Sequence, residues 1–145
     1  MGNLKVRRDS IKALERQLQA TTQRVRQSVA TDLRVLTRTL VNRAKQRAPY
    51  YTGATRSTAY TVAPEQVSDG VKASLGFAGP DSDRMNPETG RMVSEYIAEI
   101  HEGYGPAGQP LVSGEPKFLE NTINESKEEF RQFIARSVAD ALTGR

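Results

Sequence analysis

The chain has 145 residues, which is enough for one domain with a single hydrophobic core and too few for two full domains. Hydrophobic residues make up 37% and charged residues 26% of the sequence, and no apolar run approaches the roughly 20 residues that a membrane-spanning helix needs. The absence of cysteine excludes disulfide bonds, thiolate metal sites and a cysteine nucleophile. A single histidine, His101, excludes a multi-histidine metal site.

The net charge of +4 is distributed unevenly along the chain. Residues 1–60 carry net +10, and residues 61–145 carry net −6. Such an asymmetry is typical of a chain with a basic nucleic-acid-binding region, or of a protein whose copies pack a basic face against an acidic face. Both halves have the apolar patterning of folded structure, which favours the second interpretation.

Residues 10–48 are predicted to form one long helix. Apolar side chains recur there at steps of three, four or seven residues, which places them in one stripe. Asp9 and Ser10 are suitable N-cap residues, and Pro49 favours an end of the helix just before it. Unbroken, the helix would span about 57 Å, more than so small a domain can cover. It therefore either breaks near residues 20–23, where the stripe weakens, or projects and packs on a neighbouring subunit.

A small antiparallel sheet is predicted after the helix. Residues 58–63 have the composition of a strand, and residues 71–78 alternate apolar and polar side chains as a half-buried strand does. Residues 64–70 would connect the two strands. Residues 79–91 form a polar loop that is rich in Gly, Pro and Asp and long for a compact domain.

Residues 92–101 fit two structures. Alternation of apolar side chains predicts a strand, whereas spacing by three and four residues predicts a helix, with a slightly higher count for the helix. A second loop follows at 104–115, and we expect both it and the loop 79–91 to be mobile until partners bind. Residues 116–142 carry a further helical stripe beginning with a proline, which a first helical turn tolerates. The predicted architecture is α+β, with the whole chain as a single domain.

No residue pattern predicts catalysis, a cofactor site or a metal site. Asp81, Asp83 and Glu88 lie close together but do not follow the ligand spacing of an EF-hand calcium loop. A zinc-protease motif needs two histidines, and the glycine-rich phosphate-binding loop of nucleotide hydrolases is absent. We therefore predict a protein that is not an enzyme and needs no cofactor or metal.

The long helix carries a basic face that suits either nucleic acid or an acidic protein surface. Arg34 and Arg38 lie one turn apart on one side of the helix, and Arg43 follows further along. Phosphate contacts through such arginines would make the chain a non-specific nucleic-acid-binding protein with salt-dependent affinity. The nine aromatic residues do not alternate with basic ones, which argues against a platform for base stacking.

Three segments resemble, in the same order, motifs of the tail-completion proteins of long-tailed bacteriophages, also called head–tail connector, neck or minor capsid proteins. Residues 48–58 (APYYTGATRST) resemble the segment A-P-x-D-T-G-x-L-R-x-S that follows the long helix in that family. Residues 96–103 (YIAEIHEG) resemble its Y-A-x-x-V-H/E-x-G segment, and residues 116–120 (PKFLE) resemble the K-F-L-E opening of its C-terminal helix. Tyr51 and Thr55 depart from the first motif, where the family often has Asp and Leu.

The resemblance implies a strand over 92–101, so that the sheet region would extend over 58–103. It implies a ring-forming subunit, most often sixfold, in the virion neck between a portal-side connector or head-closure protein and the tail tube or tail terminator. DNA would pass through the channel of the ring without sequence-specific contacts. Another neck ring, such as the tail terminator itself, is an alternative within the same class.

The first and third motifs have architectural roles in this interpretation. Pro49 ends the long helix. Thr52 and Gly53 form a tight turn in which Gly53 takes a positive φ. Phe118 and Leu119 pack the C-terminal helix against the sheet.

The second motif is linked to the first by charge in this interpretation. Tyr96 faces the core from the implied strand, and Gly103 releases the chain into the second loop. Arg56 pairs with a carboxylate such as Glu99 or Glu102, on the same subunit or the next.

Contacts between subunits are predicted to be electrostatic in part. A head-to-tail ring places two different surfaces of the subunit against each other, which permits complementary charge at every interface. We expect residues 24–47 of the long helix to contact acidic residues in the neighbour's C-terminal half. The residues predicted to make these contacts, or to face DNA in the channel, are Arg34, Arg38 and Arg43.

Overall fold

A computed structural model describes residues 2–50, 52–105, 107–111 and 113–144, with side chains from residue 8 onward. Two long helices and a two-stranded sheet confirm the predicted α+β class. Tyr51 of the first motif and residues 106 and 112 of the second loop lie outside the described residues. In chain order the elements are α1 (Gly2–Arg47), α2 (Ala54–Ser57), β1 (Ala59–Val67), β2 (Gly70–Phe77), a 3₁₀ turn (Val93–Glu95), α3 (Ile97–Glu102) and α4 (Phe118–Thr143).

α1 is one continuous helix of 46 residues. The sequence between Gly2 and Pro49 holds no glycine or proline, and the polar residues of 20–23 are not helix breakers. The predicted break at 20–23 and the predicted caps Asp9 and Ser10 are therefore wrong, whereas the predicted end before Pro49 is confirmed. The weaker stripe at 20–23 reflects a change in what covers the helix, not a change in its backbone.

β1 and β2 form an antiparallel hairpin in which Ala59 lies opposite Phe77. The register shifts between Val62 and Glu65, where Pro64 interrupts β1. A bulge leaves a residue out of the hydrogen-bond ladder and therefore accepts proline, which has no N–H group to donate. β1 thus runs through most of the predicted connection 64–70, which shrinks to a two-residue turn at 68 and 69. α1 packs against both strands of the hairpin.

Residues 93–102 are helical apart from Tyr96, and Met92 forms only an isolated bridge with Met85, so the strand implied by the family resemblance over 92–101 is wrong. They form the 3₁₀ turn and α3, which ends at Gly103 with a φ of +108°. Val93, Tyr96 and Ile100 are each at most 1% exposed, because spacing by three and four residues turns all three toward the core. Among the described residues, β1 and β2 alone form the sheet.

The core lies at the C-terminal end of α1. Phe118 at the start of α4 is 1% exposed and meets Phe77 of β2 edge to face, with ring centroids 5.1 Å apart. Leu119 packs against the same cluster, which agrees with the predicted role of both residues. The buried members of the cluster are Ala44, Ala48, Ala54, Val93, Tyr96, Ile100 and Phe118.

α4 packs antiparallel along α1. It begins at Phe118, two residues after the predicted start, and its far end places Ala141 beside Arg24 of α1. α4 has 26 residues and α1 has 46, which correspond to about 39 Å and about 69 Å at 1.5 Å per residue. α4 is therefore too short to cover the whole of α1.

The loop 79–91 has its own internal hydrogen bonds. Asn86 is 2% exposed, and its backbone N–H donates to the Arg91 carbonyl at 2.8 Å. The Ser82 hydroxyl donates to the Thr58 carbonyl at 2.8 Å, which fastens the loop to the start of the hairpin. The mobility of this loop before assembly stays a prediction. The loop nevertheless has a buried polar residue, Asn86, at its centre.

Candidate assembly surface

Residues 48–58 form a capped junction between α1 and the hairpin. Gly53 has a φ of +84°, which confirms the predicted positive φ. The Arg56 guanidinium donates to the Ala48 carbonyl from Nε at 3.0 Å and from Nη2 at 2.8 Å, and it lies 5.2 Å from the centre of the Tyr50 ring. The last carbonyls of a helix have no partner within it, so Arg56 caps α1.

The predicted ion pair of Arg56 with Glu99 or Glu102 is wrong within the subunit. The hydrogen bonds of its guanidinium go to carbonyls at the end of α1, which lie nearer along the chain than either carboxylate. The Thr52 hydroxyl accepts a hydrogen bond from the Ala54 N–H at 3.3 Å, which fits the predicted turn.

The second loop also fastens the end of α1. The Glu115 N–H donates to the Arg47 carbonyl at 3.0 Å. A Cβ atom on Gly114 would lie 2.5 Å from the backbone nitrogen of Pro49, so only glycine fits there. Pro49 is buried, and the next residue, Tyr50, donates from its N–H to the Ser113 hydroxyl at 2.8 Å and accepts from that hydroxyl at its carbonyl at 3.1 Å.

The basic end of α1 pairs with acidic residues of α4 in the same subunit. Arg43 donates two hydrogen bonds to the Glu129 carboxylate, at 2.9 Å and 3.1 Å. Arg47 pairs with Glu125 and, at 3.6 Å, with Glu115. The hydrogen bond from Arg43 holds the pKa of Glu129 below its usual value.

Arg43 is therefore engaged within its own chain through a side chain that is still 40% exposed, and its role toward a neighbour or DNA stays a prediction. Complementary charge is formed within one copy, because α4 folds back along α1, and the charge contacts expected between copies stay a prediction. Arg47 was missed from the sequence, although the acidic residues of 115–129 were visible there. The helical spacing of these acidic residues, in a chain with one strongly basic helix, was the signal that could have predicted the pairing of Arg47.

Arg34 and Arg38 have different surroundings. Both are exposed on α1, and neither forms an ion pair within the part of the chain that the structure describes. They remain available for contact with another molecule.

The N-terminal part of α1 extends beyond the rest of the fold. Every residue from 8 to 20, a segment here called the arm, is exposed. Its apolar stripe consists of Ile11, Leu14 and Leu18, which are 56%, 55% and 59% exposed. Of the two outcomes predicted for the long helix, the break is absent and projection is observed, while packing on a neighbouring subunit stays a prediction.

An apolar groove lies at the base of the arm. Its volume is about 510 Å³, and its walls come from α1, the turn of the hairpin and the end of α4. Leu18 belongs both to the arm and to the groove, so the apolar stripe runs into the groove without interruption. The sequence could not show the groove, because it joins residues far apart in the chain. Its apolar lining consists of Leu18, Val25, Val29, Val71 and Leu142, and its charged lining residues are Arg26 and Asp69.

Other kinds of site were sought in the same residues. No group of three or more His, Asp or Glu side chains in the described ranges could hold a metal ion. Within those ranges, no helix is both long enough and apolar enough to cross a membrane. Comparison with protein-family models, curated proteins and solved structures finds no match to this chain. Its function is therefore inferred from its own residues and geometry.

Proposed function

We propose that this chain is a structural subunit of the bacteriophage neck, which assembles as a ring between the DNA-filled head and the tail. The observation that carries the proposal is the exposed arm, whose apolar stripe has no cover within the described subunit. The three motif segments that resemble tail-completion proteins add the biological setting. A neck subunit needs uncovered apolar surface, because it must hold copies of itself and neighbouring proteins together.

The arm supports assembly on energetic grounds. Burial of apolar surface contributes about 25 cal/mol per Å² of area removed from water. Contiguous exposed apolar side chains therefore mark interaction surfaces. An isolated helical segment of the arm's length is also only marginally stable in water. Contact with a partner would bury the stripe and hold the arm in its helical form.

The rest of the fold suits a structural role. The motif segments meet at the core end of α1, where Pro49 and Arg56 come from the first, Tyr96 and Gly103 from the second, and Phe118 from the third. Their contacts go to helix ends, turns and packing. They make a firm base from which α1 projects.

A second candidate function is non-specific binding of nucleic acid. Arg34 and Arg38, exposed and without ion pairs in the described residues, favour it, and Arg8, Lys12 and Arg16 are exposed on the same helix. Phosphate contacts through these side chains would give an affinity that falls linearly with salt on logarithmic axes. In the proposed ring, the same cations face either the neighbour's acidic surface or the DNA in the channel.

Charge reversal separates the two candidates. In a ring held in register by charge, Arg34→Glu with Arg38→Glu should weaken assembly more at low salt than at high salt, because salt screens the new repulsion. Sedimentation velocity at two salt concentrations measures this, with Lys127→Glu and Arg136→Glu on α4 as the matched control. Unchanged assembly combined with lost DNA binding would favour the nucleic-acid candidate instead.

The neck location has its own test. Negative-stain images of the purified chain should show closed rings, and a tagged copy in phage particles should label the junction of head and tail. Label elsewhere in the particle, or a chain that stays monomeric at high concentration, would contradict the proposal.

A further inference from the structure

We infer that the arm of one copy docks in the apolar groove of a second copy, and that this contact is the joint by which copies of the chain assemble. In the proposed ring, this contact would be the interface between neighbouring copies. It rests on the proposed function only because it requires that copies of the chain assemble. It brings together two surfaces that the fold leaves uncovered on the same molecule.

The arm has the pattern of a helix that binds in a groove. Ile11, Leu14 and Leu18 follow the spacing i, i+3, i+7, so they project from one side of the helix. Helix-in-groove recognition uses anchors at these positions. Ile11 and Leu14 are each more than half exposed and lie outside the groove of their own subunit, whereas Leu18 joins the stripe to the groove wall.

The groove cannot be filled by the arm of its own subunit. α1 continues without a break through residues 20–23, so the arm cannot fold back. Leu18 is itself part of the groove wall, so the arm continues away from the groove along the line of that wall. Any helix that docks in the groove must therefore belong to a second molecule.

Charge favours a second copy as that molecule. Arg8 and Glu15 flank the apolar stripe of the arm on one side, two turns apart. The groove is lined by one residue of each sign, Asp69 and Arg26, and Asp69 is without an ion pair in the described residues. Arg26 already donates to the Val67 and Ser68 carbonyls at 3.4 Å and 3.1 Å. Asp69 is therefore the groove charge left to pair, and a second copy supplies a cation for it through Arg8.

The expected contact area favours a closed assembly. An arm of 13 residues is about 20 Å long and about 10 Å wide, and a stable interface buries about 800 Å² per partner. One arm in one groove covers only part of that area. Each copy has one arm and one groove, so every copy in a closed ring makes the contact twice, and closure should be cooperative.

Disulfide trapping tests the contact directly, because the native chain has no cysteine to give a background. Leu14→Cys, in the arm, and Val71→Cys, in the groove, are prepared as separate proteins, mixed and oxidised mildly. We expect at least tenfold more mixed disulfide than from Arg16→Cys with Val71→Cys, since Arg16 lies on the opposite face of the arm. No excess over that control overturns the inference, and so does a disulfide that joins only arm to arm.

A second pair of variants tests the stripe without cysteine. Ile11→Gln with Leu14→Gln should weaken self-association at least tenfold in sedimentation experiments, whereas Lys12→Gln with Arg16→Gln should not. All four side chains are exposed, so the folded subunit should keep its unfolding temperature. Self-association that is unchanged in the stripe variant contradicts the inference.

The outcomes distinguish this contact from the neck function. Self-association without the mixed disulfide would overturn the arm–groove joint and leave the ring proposal standing. A mixed disulfide in a protein that is absent from the phage neck would overturn the neck function and leave the joint standing.

Discussion

The two ends of α1 share one secondary structure and have opposite surroundings. At the C-terminal end, Ala44 and Ala48 are fully buried beneath α3, α4 and the hairpin, whereas Ile11 and Leu14 at the other end are more than half exposed. The difference arises because α4 is shorter than α1 and ends beside Arg24. An apolar stripe therefore predicts that a helix will be covered, but not whether its own chain or another one covers it.

The strongest test of the covered end is Gly114→Ala. The new Cβ would lie 2.5 Å from the Pro49 nitrogen, with φ at +70°, so strain and overlap together should lower the free energy of unfolding by about 4 kcal/mol. Gly90→Ala is the matched control, because Gly90 has a φ of +69° and its new methyl group would meet no other part of the fold within 4 Å. It should lose only about 1–2 kcal/mol in denaturant unfolding. Equal losses would show that the end of α1 is not tightly held.

Substitution of one leucine at each end of α1 compares how strongly the two ends contribute to stability. Leu36 is 6% exposed and Leu14 is 55% exposed. Leu36→Ala should lower the free energy of unfolding by about 3 kcal/mol through the cavity it leaves, and Leu14→Ala by no more than about 0.5 kcal/mol. Chemical denaturation at low protein concentration, where assembly is minimal, measures both. A large loss for Leu14→Ala would mean that the arm is covered within the subunit.

The Arg43–Glu129 pair gives the covered end a dependence on pH. The folded-state pKa of Glu129 is lowered, so its stabilising effect is complete above the unfolded pKa of about 4.3 and is lost as pH falls through the lower folded value. Glu129→Gln should therefore reduce the loss of stability between about pH 5 and about pH 3. Glu65→Gln, on β1, is the matched control. An unchanged pH profile would indicate that the pair does not persist in solution.

The smallest expected effect is that of Tyr96→Phe in the core. The Tyr96 hydroxyl is buried, with no hydrogen-bond partner in the described structure. Its removal deletes an unsatisfied polar group, so stability should change by less than about 1 kcal/mol, toward greater stability. Thermal unfolding measures the change. A clear loss would show that the hydroxyl finds a partner that stabilises the core.

Local patterns predicted most of the fold. The two long helices and the hairpin follow from periodicity and from the positions of proline and glycine, which act over a few residues. For the segment 92–101 the family resemblance implies a strand, whereas the spacing of Val93, Tyr96 and Ile100 predicts the helix that the structure has. The helical pattern accounts for more of the apolar side chains in this segment than the alternating pattern does, so the residues themselves favour the helix.

The candidate assembly surface depends on contacts between residues that are far apart in the sequence. Arg34 and Arg43 look alike as exposed arginines on a basic helix, yet only Arg43 faces Glu129 once α4 folds back. The groove likewise needs Leu18, Val71 and Leu142 to meet, and no local pattern links them. Prediction failed where the outcome depended on which surfaces pack together.

The charges of α1 agree with its helix dipole at one end only. The last turn carries Lys45 and Arg47, and Arg56 adds a third cation at the terminal carbonyls. The first turn has no acidic residue to interact with the positive end of the dipole. We therefore expect local unfolding of α1 to be easier in the exposed arm than at the capped C-terminal end.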